Sequence, residues 1–210
     1  MCPTIRLSIP EISFHDSGRM KVILGGPPRS GKSVLREALK QAILRRRGAP
    51  YPYVITACPD GEGAWYQEAA RNNPELAAQL KREYKSKFTW AFANRIADSV
   101  RDCQLPLTLI DLGGVIDDKN RHIAEHATHA VLIAAHDEDL AAWREFSVSL
   151  DLGLVAELRS DYDATEDRIE GVGADGVLRG SVHHLERGED ASNRPLVLAL
   201  AAHLVELASA

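Results

Sequence analysis

The chain has 210 residues, 45% hydrophobic and 26% charged, a globular composition that excludes a disordered, collagenous or fibrous protein. No apolar run approaches the roughly 20 residues of a membrane helix, and residues 1–20 lack a signal-peptide core, so a cytoplasmic protein with no membrane partner is expected. The net charge of −5 is uneven: residues 1–58 carry ten Lys and Arg against three Asp and Glu, residues 59–110 seven of each, and residues 111–210 eight against twenty. The basic part suits phosphates, and the acidic part, read as a solvated surface, argues against wrapping a nucleic acid all round.

In chain order, Ile5, Leu7 and Ile9 alternate with polar residues and predict a short edge strand in an N-terminal extension, residues 1–19. Residues 21–24 read as a buried strand followed by a Gly-rich turn, and 34–47 as a helix with Val34, Leu35, Ala38, Leu39, Ala42 and Ile43 on one stripe. Arg45, Arg46, Arg47 and Gly48 supply its C-terminal charge and stop. Residues 51–56 predict a strand, 74–100 a mostly helical stretch, and 105–110 a strand delivering Asp111, after which Gly113 and Gly114 break the chain. A helix over 119–128, a strand over 130–135, a helix over 139–150, strands over 154–158 and 176–182, and a closing helix over 195–208 complete the pattern. Strand-like and helix-like segments alternate without repeats or linkers. That predicts one three-layer α/β/α domain over 20–210 with a mainly parallel sheet. Cys2, Cys58 and Cys103 are far apart in sequence, as expected of thiols in a reducing compartment.

Gly26-Pro27-Pro28-Arg29-Ser30-Gly31-Lys32-Ser33 matches the G-x-x-x-x-G-K-[ST] phosphate loop between a strand and a helix. Small residues let backbone N–H groups turn toward a β-phosphate, and the helix N-terminus adds its dipole, with Ser30 and Val34 completing the nucleotide-binding set. Lys32 is placed for the β and γ oxygens of ATP, and the Ser33 hydroxyl for Mg²⁺. Arg29 either reaches over the γ-phosphate or a second substrate, or is an exposed residue of a tight turn. Asp111 is the expected second ligand of Mg²⁺. Leu112 follows it where an AAA-type motor has Glu, and Asp111-Leu112-Gly113-Gly114 fits the switch-like D-x-x-G. This favours a kinase or GTPase type of site.

After the second strand, Asp60 and Glu62 sit among glycines, with Trp65 and Tyr66 nearby. A carboxylate there accepts the proton of an attacking hydroxyl, with Asp60 the first choice, and the aromatics offer a stacking face. A surface turn capping the next helix is the plainer alternative. Lys81, Arg82, Lys85 and Lys87, interleaved with Tyr84, Phe88 and Trp90, form either a phosphate-facing lid or a solvated helix face. His122-Ile123-Ala124-Glu125-His126 matches H-x-x-E-H but stands behind the switch segment with no strong third ligand, so a zinc peptidase is set aside. His183-His184 read as structural or as shaping a nucleotide or subunit contact.

The phosphate loop, the run from Pro52 through Cys58-Pro59-Asp60-Gly61-Glu62-Gly63-Ala64-Trp65, Leu109-Ile110-Asp111-Leu112-Gly113-Gly114, Ala127-Thr128-His129-Ala130-Val131, Ser160-Asp161-Tyr162, and Asp175-Gly176-Val177-Leu178-Arg179-Gly180-Ser181-Val182-His183-His184-Leu185-Glu186-Arg187-Gly188 together resemble one family. It is the P-loop, AAA-like NTPase domain found fused behind CRISPR-associated cyclic-oligoadenylate ring nucleases of type III systems. The likeness covers nearly all of the chain from Met20 onward. A ring-nuclease domain needs roughly 100 residues, and nineteen precede Met20, so ring cleavage is not carried over. The resemblance implies a nucleotide-handling protein of antiviral defence, with Gly26–Ser33 and Asp111 as its site. The expected function is ATP-dependent phosphoryl transfer to a nucleotide, oligoadenylate or RNA acceptor, in a homo-oligomer or beside a ring-nuclease partner. The alternatives are a regulatory ATPase switch without an acceptor, and a nucleic-acid-binding ATPase using residues 81–90.

Overall fold

A computed structural model of the chain describes residues 18–59 and 88–209. The elements run β1 (Met20–Gly25), α1 (Lys32–Leu44), β2 (Pro52–Thr56), α2 (Trp90–Asp102), β3 (Leu107–Asp111), α3 (Asp118–Ala124), β4 (His129–Ala134), α4 (Asp137–Val148), β5 (Gly153–Asp161), β6 (Arg168–Val172), β7 (Leu178–His183) and α5 (Pro195–Leu207). The strands form one seven-stranded sheet in the order β2-β3-β1-β4-β5-β7-β6. All neighbours are parallel except β6, which pairs antiparallel with β7.

Alternation along β1 sends Val22 and Leu24 to one face and Ile23 to the other. On the first face Leu35 and Leu39 of α1 and Leu196 and Leu200 of α5 pack with Leu109, Val131 and Ile133. On the second face Ala93 and Ala97 of α2, Ile123 of α3 and Trp143 and Phe146 of α4 pack with Ile110 and Leu132. The crossovers explain this division. The β1–β2 connection runs toward one edge of the sheet, while the β2–β3, β3–β4 and β4–β5 connections run toward the other. Right-handed crossovers of opposite direction put their helices on opposite faces. The result is an α/β/α sandwich in which β1, at the reversal of direction, opens a crevice at the carboxyl ends of the strands.

The expected elements lie where the pattern put them, with four differences. Helix α1 begins at Lys32 and ends at Leu44, so Arg45, Arg46 and Arg47 follow it rather than complete its last turn; Arg45 instead donates to Asn193 Oδ1 at 2.7 Å. Helix α3 ends at Ala124, four residues before Thr128, because the Thr128 N–H and hydroxyl bond to the Lys21 carbonyl and pull the chain into the sheet. Strand β6 was not anticipated. It is an exposed edge strand with Gly171 at φ +99 and a register shift between Ile169 and Gly171, so charge and a bulge blur its alternation and protect the sheet edge. Of the stretch over 74–100, residues 90–100 are helical and continue to Asp102; residues 74–87 and the N-terminal edge strand fall outside the described residues. Among the described residues no helix is long and apolar enough to cross a membrane.

Candidate functional site

Gly31 stands at the N-cap of α1 with φ +85 and no side-chain cap bond. A left-handed residue here is most easily glycine, and a Cβ would also lie 2.7 Å from Leu185 Cδ1. The first-turn amides of α1 are therefore presented at the crevice without a competing side chain, the arrangement that attracts anions. Lys32 is buried, and its ammonium donates to the carbonyls of Gly26 at 2.7 Å and Pro27 at 2.9 Å. The Ser30 hydroxyl is buried with no hydrogen-bond partner, a cost of roughly 1–3 kcal/mol unless a ligand meets it. Arg29 takes φ +66, which for a non-glycine residue costs about 1 kcal/mol or more; its side chain is exposed at the lip. These features fit a polyanion in the loop.

Asp111, 4% exposed, ends β3 beside β1, and the parallel register pairs Leu24 with it. Arg36, one turn beyond Lys32 on the inward stripe of α1, points its Nη1 at Asp111 Oδ2 (3.6 Å) and at Thr56 Oγ1 (3.5 Å). The turn after Asp111 is held by Asn120, 1% exposed. Asn120 accepts from the Gly113 N–H at 3.3 Å and donates to the Val115 carbonyl at 2.7 Å, and its own N–H donates to Asp117 at 2.8 Å. Gly114 abuts the loop: a Cβ there would lie 2.6 Å from Pro28 N and 2.9 Å from Pro28 Cα.

A cleft of about 780 Å³ joins these parts. Pro28, Arg29, Ser30, Gly31, Lys32, Ser33 and Val34 form its floor, with Asp111 beside them. One flank, toward β2 and β3, holds Thr56, Cys58, Phe88, Val115 and Asp117; the other, toward β5 and β7, holds Tyr162, Leu185, Glu186 and Arg187. The structure thus brings Lys32, Ser33 and Asp111 into one cleft. Gly26 and Pro27 do not line it; their carbonyls hold the Lys32 ammonium. Asp60, Glu62, Trp65, Lys81, Arg82, Lys85 and Lys87 lie outside the described residues.

Arg36 and Asn120 were not singled out in the sequence, although a cation four residues after Lys32 inside an apolar stripe was a signal. The role of Tyr162 and Leu185 depends on two strand ends meeting across the sheet. His183 and His184 separate in function: His183 Nδ1 pairs with Asp167 at 2.6 Å, and the other Asp167 oxygen accepts from Leu196 N–H at 2.9 Å, tying β7 to α5. His184, at φ +38, stacks on Tyr162 at the lip of the cleft. In the H-x-x-E-H segment, Glu125 pairs with His122 at 2.7 Å, and the two histidine rings meet edge-on at 6.1 Å.

The contact between Gly114 and Pro28 makes a direct prediction. Gly114→Ala must separate the turn from the loop backbone, because both clashing partners are main chain. The protein should stay folded by circular dichroism, while any nucleotide turnover carried by this cleft falls roughly ten- to hundred-fold, the scale of a small misplacement of a reacting site. Unchanged turnover would show that the turn does not act on the loop.

The chain matches none of the family models and none of the curated proteins with which it was compared.

Proposed function

We propose that this cleft is the site of an ATP-dependent phosphotransferase acting on a nucleotide or oligonucleotide. The observation that carries the reading is the convergence of Lys32, Ser33 and Asp111 on one cleft with a second flank beyond them. The Lys32 ammonium, held at the loop by two carbonyls, supplies fixed positive charge for the transferring phosphoryl group. The Ser33 hydroxyl and the Asp111 carboxylate are the residues that would hold Mg²⁺, whose charge offsets that of the phosphates when it is bound. The Ser30 hydroxyl and the α1 amides face the phosphate oxygens. Asp60, two residues beyond the cleft-lining Cys58, is the general base of this reading, with Glu62 its substitute. Trp65 and the cations Lys81, Arg82, Lys85 and Lys87 are assigned to the acceptor. A link to type III CRISPR cyclic-oligoadenylate signalling, with a ring-nuclease partner, follows from the resemblance and is part of the proposal, as are a homo-oligomer and a cytoplasmic location.

A regulatory ATPase is the second reading, favoured by one feature. Val115 and Ile116 on the turn that touches the loop are 59% and 41% exposed, as a partner-reading surface would be. Incubation with γ-labelled ATP, Mg²⁺ and candidate acceptors (nucleotides, linear and cyclic oligoadenylates, short RNAs) separates the two. Phosphoryl transfer predicts label in an acceptor, and Asp60→Asn then slows transfer by roughly 10²–10⁴-fold, the worth of a general base. Label only in free phosphate, with Asp60→Asn as active as the wild type, gives the site to the switch.

A further inference from the structure

The Tyr162 flank of the cleft has no role in the reaction just described. Two strand ends build it. The His184 N–H donates to the Asp161 carbonyl at 2.9 Å, closing β7 onto β5. His184 Nδ1 then lies 3.0 Å from the Tyr162 carbonyl, and its Nε2 lies 3.1 Å from Glu186. The His184 and Tyr162 rings stack with centroids 4.4 Å apart and planes inclined at 35°. Leu185 carries this assembly onto the phosphate-binding loop, since its side chain occupies the space a Gly31 Cβ would take. The Tyr162 ring therefore has one face backed by imidazole, is 54% exposed, and lines the same cleft as Lys32 and Ser33. The Tyr162 phenol is pushed above its ordinary range, first by desolvation and then by the Glu186 carboxylate, so it is neutral near pH 7.

The direction of a nucleotide in the cleft follows from Asp111. Ser33 and Asp111, the residues that would hold Mg²⁺ and let it offset phosphate charge, lie on the β3 side of the loop. A phosphate chain with its γ end at those residues would leave its α end across the loop toward β5 and β7. A planar base on that side meets one aromatic face already backed by a second ring.

We propose that the β5–β7 flank is the nucleoside subsite, with the base stacked on the open face of Tyr162 over Leu185 and with Glu186 and Arg187 at its polar edges. This rests on reading residues 26–33 as the phosphate site. Stacking on an aromatic ring is tolerant of base identity, so the subsite accepts both ATP and GTP. Tyr162 also serves to discriminate a nucleoside triphosphate from a bare polyphosphate.

Isothermal titration of the wild type, Tyr162→Ala, Tyr162→Phe and Lys32→Ala with ATP, GTP and inorganic tripolyphosphate, all with Mg²⁺, tests this. Tyr162→Ala should weaken ATP and GTP about ten- to hundred-fold, the range for losing one base-stacking ring, and leave tripolyphosphate within two-fold. Tyr162→Phe should bind as the wild type does, and Lys32→Ala should lose affinity for all three. The subsite is overturned if the wild type binds ATP and tripolyphosphate equally, or if Tyr162→Ala keeps full ATP affinity. Equal weakening of ATP and tripolyphosphate by Tyr162→Ala also overturns it, because the ring would then support the loop rather than the base. A wild type that binds none of the three removes the phosphate site itself, and the subsite with it.

Discussion

Lys32→Ala is expected to abolish nucleotide turnover while leaving the protein folded. The ammonium is buried at the start of α1, at hydrogen-bond distance from the Gly26 and Pro27 carbonyls. In the proposed reaction it faces the oxygens on which charge is redistributed as the phosphoryl group moves. A fixed charge in such a site contributes several kcal/mol to the barrier, so a loss of at least about 10³-fold is expected. The fold should tolerate the change for a separate reason. The two carbonyls belong to a loop bordering an open cleft, where water can replace the lost donor, and the apolar stripe of α1 below it, Leu35, Leu39 and Ile43, is untouched. Thermal unfolding followed by circular dichroism checks the fold, and phosphate release or labelled transfer checks the reaction. A folded variant turning over at near the wild-type rate would sink the assignment of this loop.

The strand, turn and helix around residues 26–33 were legible because the signal is local: a buried apolar strand, a Gly- and Pro-rich turn and an apolar helical stripe follow one another directly. The parallel core was legible for a related reason. Strands buried on both faces, such as Val22-Ile23-Leu24 and Leu107-Thr108-Leu109-Ile110, read as continuous apolar runs. Strand β6 was hidden by the same logic in reverse, since an edge strand made of Arg168, Ile169, Glu170, Gly171 and Val172 has too little burial to leave a pattern. The flanks of the cleft were only partly legible. Tyr162 and His184 are 22 residues apart and meet because β5 and β7 are neighbours, a pairing that periodicity does not encode. Asn120 reads as an ordinary polar residue of a short helix until the chain folds back and its amide reaches Gly113 and Val115.

Asp111→Asn is expected to have two effects that a second substitution separates. The first is on the metal: the carboxamide keeps the shape but removes the charge a hard cation requires. The magnesium titration of turnover should move to higher concentration, with nucleotide affinity largely retained. The second effect arises from Arg36. Its Nη1 lies 3.6 Å from Asp111 Oδ2 with the side chains 10% and 5% exposed, and its Nε is buried without a partner. Removing the carboxylate leaves a buried cation without this counter-charge. Breaking a well-made buried pair costs roughly 3–5 kcal/mol. At 3.6 Å and without a direct hydrogen bond, the low end of that range or somewhat below is expected, about 2–3 kcal/mol. For a chain of this size that is a fall in Tm of roughly 5–10 °C. Adding Arg36→Met removes the orphaned charge, so the double variant should recover most of the lost stability. It should not recover the magnesium response, because the double variant still lacks the carboxylate that would act beside the Ser33 hydroxyl. Arg36→Met by itself should sharpen that response, because the guanidinium no longer competes with the cation for Asp111. Magnesium titrations and melting curves of all four proteins complete the cycle. If Asp111→Asn changes neither stability nor the magnesium midpoint, Asp111 is neither the counter-charge of Arg36 nor a ligand of the metal. If the double variant recovers both, the apparent metal effect was only a loosened fold.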